Sequence, residues 1–137
     1  MKPKFYLKKI PALNLQETLI VLAIIGILLL LALPNLMPLI TKAKSIEAQT
    51  QLKAIYNAET TYRYLNSKYS SDMNELDFIP PKTVKDDGTA NYRYEIISAD
   101  NNSFKARAEA VTDFDGDGIL NVWEIDEHGN PKQITKD

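Results

Sequence analysis

The chain has 137 residues, a formal charge of −2 and no cysteine, so it is at most one modest domain, and disulfide staples and thiolate metal sites are excluded. Charge is unevenly spread: Lys2, Lys4, Lys8 and Lys9 precede the first acid, Glu17, whereas the rest of the chain carries twelve basic against eighteen acidic residues. Such an acidic body lacks the clustered Lys and Arg that displace counterions from phosphates, so no nucleic-acid partner is expected, and cation binding suits it better.

Residues 18–41 carry no charge, and residues 19–33 are apolar throughout, with Gly26 the least hydrophobic. Twenty-four residues at about 1.5 Å each are enough to cross a ~30 Å hydrocarbon layer as a helix. The four leading lysines orient that span with the N-terminus cytoplasmic and the chain beyond residue 41 outside. A secretory signal shares the basic start and apolar centre, but it ends in small-x-small, and Leu31-Ala32-Leu33-Pro34 offers one small residue followed by a proline.

Past the span, Ala48, Leu52, Ile55, Ala58, Tyr62 and Leu65 recur every three or four residues among Lys42, Lys44, Glu47, Gln49, Gln51 and Lys53. This spacing predicts one helix over 15–65, apolar all round in its first half and striped in its second. Pro34 and Pro38 each remove a backbone donor, so a bend or local unwinding is expected there.

After Asn66 the elements shorten. Asp72 with Glu75 reads as a capping pair opening a brief helical turn that Pro80-Pro81 ends, and Asp86-Asp87-Gly88 reads as a turn. Residues 92–97 and 104–111 are rich in aromatic and branched side chains and flank the polar loop 98–103, as antiparallel neighbours would. A third strand is expected over 119–125, and His128-Gly129-Asn130-Pro131 as a closing turn. The fold class is therefore α+β, with a small antiparallel sheet covered by the apolar stripe of the long helix.

At the edge of the span, Pro11-Ala12-Leu13-Asn14-Leu15-Gln16-Glu17-Thr18 places one carboxylate where an acid is costly and normally has a partner or a function. The stretch resembles the class III signal of type IV prepilins and type II secretion pseudopilins, carried by Ala12 before the cut, Leu13 after it, Glu17 at the fifth mature position, Gly26 and Pro34. Ala12 stands where Gly is usual, and Leu13 where Phe or Met is usual. The resemblance implies a leader over 1–12, an assembly helix over 13–41 and a pilin-like head over 42–137 that includes the amphipathic helix 42–65. It also implies cleavage by prepilin peptidase and methylation of the Leu13 amine. The subunit would then be handled by inner-membrane assembly machinery and would polymerise with its own copies into a periplasmic or extracellular filament. A neighbour's Glu17 carboxylate can neutralise the new amine in one register only, so the pair would act mainly as a specificity device.

Asp113-Phe114-Asp115-Gly116-Asp117-Gly118-Ile119 with Asn121 and Glu124 fits the spacing D-x-D-x-D-G-x5-E. Calcium takes six to eight oxygens, and this spacing offers the carboxylates of Asp113, Asp115 and Asp117, the Ile119 carbonyl, Asn121 directly or through water, and a bidentate Glu124. The alternative is a solvated acidic turn. An EF-hand needs helices on both sides, yet 104–111 reads as strand, so an EF-hand-like loop in another setting is expected, and an extended 119–125 would turn Glu124 from the ion. A calcium loop near the C-terminus is also what resemblance to the major pseudopilin implies.

Trp123, Tyr56, Tyr62, Tyr92 and Tyr94 read as core or interface. His128, the lone histidine, sits in a turn signal, and no nucleophile, base and orienter set is built on it, so no enzyme is expected. Two readings follow: a polymerising filament subunit, either of a type IV pilus or a major pseudopilin, and a membrane-anchored calcium-binding periplasmic module that never polymerises.

Overall fold

A computed structural model describes residues 1–3, 11–12 and 14–137; Lys4, Lys8, Lys9 and Leu13 lie outside the described residues. The chain divides into two compact units, Met1–Leu36 and Met37–Asp137.

One helix, α1, spans Leu15–Asn66. Its first turn is held by Glu17, whose Oε2 accepts the Asn14 N–H at 3.1 Å, while the Asn14 carbonyl accepts the Thr18 N–H at 3.1 Å. This is the returning half of a capping box, in which an acid three residues on satisfies an otherwise orphan donor. Every large aliphatic side chain over 19–33 is exposed, as in a helix that has not yet met its solvent. The expected local unwinding at Pro34 and Pro38 is not found, and helix is assigned without a break through both. Proline's fixed φ is compatible with helix, so the cost is confined to a lost hydrogen bond and a crowded carbonyl.

In the second unit the buried positions of α1 are Thr41, Ser45, Ala48, Leu52, Ile55 and Glu59, a stripe at alternating spacings of four and three. Leu65, expected on this stripe, is 80% exposed, because the run that contains Glu59 continues toward residues 62 and 66 and leaves residue 65 on the far side.

The sheet is an antiparallel meander in the order β1-β2-β3-β4: β1 is Tyr92–Ala99, β2 Phe104–Ala110, β3 Val122–Asp126 and β4 Lys132–Thr135. The third strand starts three residues later than expected, and β4 was not foreseen, since Lys132-Gln133-Ile134-Thr135 has too little apolar alternation to signal a strand. The hairpin between them turns at Gly129, whose φ is 75° and where a Cβ would lie 2.8 Å from the Tyr56 ring, so only glycine fits.

Strand β2 explains how the helix reaches the sheet. Ala106, Ala108 and Ala110 present small side chains on its buried face in one core with Ala48, Leu52 and Ile55, while Phe104 closes the end against Tyr69 and Tyr56 at centroid separations of 5.0 and 6.3 Å. Glu47 clasps the helix to the edge: its carboxylate accepts the Asn91 backbone N–H at 3.0 Å, the Asn91 Nδ2 at 2.8 Å and the Tyr94 hydroxyl at 3.4 Å. Burial and that neighbouring negative charge push the Tyr94 phenol far above its ordinary value.

Between helix and sheet, Met73–Leu76 and Val84–Asp86 are single 3-10 turns. Asp72 caps the first by accepting the Asn74 N–H at 2.9 Å, as its spacing predicts. Glu75 does not return to Asp72; it accepts the Ser70 hydroxyl at 2.6 Å and the Tyr62 hydroxyl at 3.0 Å.

Candidate functional site

The acidic loop follows β2 and is folded by its own aspartates. Asp113 Oδ1 accepts the N–H of Gly116 at 2.6 Å and of Asp115 at 3.2 Å, and its Oδ2 accepts that of Gly118 at 2.5 Å. Asp115 and Asp117 repeat the move two residues on, accepting from Asp117 at 3.0 Å and from Ile119 at 2.7 Å. Gly116 and Gly118 sit at φ 85° and 87°, where a side chain would be strained. The N–H groups of Gly118 and Gly116 hold the Asp113 carboxyl below its usual value.

Of the four carboxylates expected around one ion, this arrangement brings together three. Asp113, Asp115 and Asp117 each offer a carboxylate oxygen within 4.8 Å of one another, and the fourth member of the group is Asp137. Glu124 lies elsewhere: it stands opposite Arg107 in the β2–β3 register, and its carboxylate is held at 2.8 Å by that guanidinium and at 3.8 Å by Lys105. The alternation of β3 turns Glu124 to this ion-pair face, as an extended segment requires. Asn121 is fully buried, with its carbonyl accepting the Ala110 N–H at 2.8 Å and its Oδ1 accepting the Tyr92 hydroxyl at 3.1 Å. Ile119 stays on the loop with an exposed side chain.

Two members of the loop's surroundings were not read from the sequence. Asp137 Oδ2 accepts the Phe114 N–H at 2.8 Å, brought there by the unforeseen β4. Phe114 sits edge-on to Tyr92 at 5.7 Å with the Lys44 ammonium 4.3 Å over its ring, which ties the loop to the helix near residues 41–45. No spacing rule links residue 137 to residue 113; only the closing hairpin does.

His128 contacts Asp126 at 3.2 Å and Glu127 at 3.5 Å, and Lys132 lies 3.8 Å from Asp126, so this second acidic group is internally paired.

A helix long and apolar enough to cross a membrane, whose later turns cover a four-stranded antiparallel sheet, is the build of a prepilin-like protein. The chain is similar to the type IV major pilin protein PilA of Myxococcus xanthus, with 41% identity over 69 residues. The match takes in 50% of this chain and 31% of that pilin, so the chain spans about a third of its relative's length. No family model matches the chain. The resemblance to type IV prepilins read from the sequence is thus joined by similarity to a pilin.

Proposed function

We propose that the protein is a non-enzymatic structural subunit of a type IV pilus-like filament. In this reading it is anchored in the inner membrane by residues 13–41 with its N-terminus cytoplasmic, cut after Ala12 by prepilin peptidase, methylated on Leu13 and polymerised through the helix. The observation that carries the reading is the apolar half of α1, which exposes its whole circumference and gains stability only in lipid or against copies of itself. The pilin relative supports a pilus subunit over a pseudopilin. Glu17 stands in the first turn of α1, and in this reading its carboxylate neutralises the amine that cleavage creates on a neighbouring copy in the filament. The Asp113, Asp115 and Asp117 carboxylates, with Asp137 in place of Glu124, form a hard oxygen set suited to calcium, and they leave the remaining positions to backbone carbonyls and water.

Intact mass spectrometry of membranes from a host with a prepilin peptidase should find the chain beginning at a methylated Leu13. Glu17→Val should be cut and inserted yet yield few or no sheared filaments. A mature start after Ala32, an uncut chain, or normal filaments from Glu17→Val would overturn the reading in favour of a simple membrane anchor.

A further inference from the structure

Further along α1 than the Glu47 clasp, the helix buries an acid that the filament reading does not use. Glu59 is 0% exposed, and its two oxygens are unequally served. Oε2 accepts the Ser70 backbone N–H at 3.0 Å, while Oε1 is buried with no hydrogen-bond partner among the described residues. Ser70, itself buried, links Glu59 to a second carboxylate, because its hydroxyl donates to Glu75 Oε2 at 2.6 Å, which also takes the Tyr62 hydroxyl. Segment 67–76 is thus stitched to the helix through one carboxyl, one serine and one further carboxylate.

We propose that Glu59 is a proton-operated latch: neutral, it holds the 67–76 segment on the helix, and ionised, it drives that segment to open and admit water. A buried carboxylate with one hydrogen bond is poorly compensated, whereas the neutral acid keeps the same Ser70 bond at little cost.

The surrounding groups give the charge no relief. On the helix, Tyr56, Tyr62 and Arg63 are the titratable neighbours within one turn, and Arg63 is engaged with the Tyr69 hydroxyl at 3.0 Å. From the covering segment come the buried Tyr69 and the exposed Lys68, Asp72 and Glu75. The buried face of the sheet carries Tyr92 and Tyr94, whose negative neighbour is Glu47, and Asp100 is taken up by Asn102 and Ser103. Burial accordingly pushes the Glu59 carboxyl up to about 7, against the lowering effect of the Ser70 N–H. A cavity of about 350 Å³ lined by Lys68, Ser70, Asp72, Glu75 and Asp100 adjoins the latch and can supply the water.

Because the folded value exceeds the unfolded one, the folded chain binds the extra proton between about pH 4.5 and 7. Stability therefore falls as pH rises through that window and levels off above it.

The test uses the full chain in detergent micelles. Between pH 5.5 and 8.5 its melting temperature should drop, and the protection factor of the Ser70 amide in hydrogen exchange should fall about tenfold or more. Glu59→Gln should remove both changes while Glu75→Gln keeps the drop in melting temperature, and the carboxyl ¹³C shift of wild-type Glu59 should titrate near neutrality. A pH drop that persists in Glu59→Gln, or a Glu59 carboxyl that titrates in the ordinary acid range, would overturn the latch.

Discussion

The two halves of α1 are one element built for two different surroundings. Over 19–33 the aliphatic side chains point all round and none is buried, whereas from Thr41 to Glu59 one stripe is buried and the opposite face is left to solvent. The same local conformation therefore meets different surroundings. In the second half these are the alanines of β2 and the Glu47 clasp; in the first, under the proposed function, they are lipid or neighbouring copies, supplied from outside the chain. Changes in one half should leave the other untouched, and that separation can be measured.

The largest contrast should come from truncating one leucine in each half. Leu52→Ala removes a fully buried side chain and should cost about 2–5 kcal/mol, read as a lower melting temperature of the head in detergent. Leu28→Ala, 60% exposed in the native side chain, should leave that melting unchanged and instead lower filament yield. Equal loss of head stability in both variants would show that the two halves do not act separately.

Next in size is the ion. Calcium at a hundred times its dissociation constant should stabilise the full chain by about 2.7 kcal/mol, raising the melting temperature, with millimolar magnesium as the control. Asp113→Ala with Asp117→Ala should abolish the rise. Glu124→Gln should leave the calcium response intact, since its carboxylate belongs to Arg107, and a lost response in Glu124→Gln would restore it to the ligand set.

The smallest effect should be at the cap of the 73–76 turn. Asp72→Ala deletes the acceptor of the Asn74 N–H, an exposed cap, and should cost about 0.5–1 kcal/mol in chemical denaturation without altering filaments. A cost comparable to that of Leu52→Ala would mean that this turn, rather than the helix stripe, anchors the covering segment.

By itself the sequence determined the features that depend on local pattern. These are the length and apolarity of the span, the stripe through Ala48, Leu52 and Ile55, the antiparallel strand pair read over 92–97 and 104–111, and the Asp113–Asp115–Asp117 turn. Each rests on a period or a short-range bond within a few residues, so no distant partner is needed to read it. Tertiary structure alone decided what depends on which distant side chain arrives. The β2–β3 register gives Glu124 to Arg107, the closing hairpin carries Asp137 to Phe114, Asn121 is drawn inward to Tyr92, and Glu59 is sealed beneath Ser70. A carboxylate's role is set by the charges and donors around it, and those come from residues 11 to 23 positions away that no spacing rule connects to it.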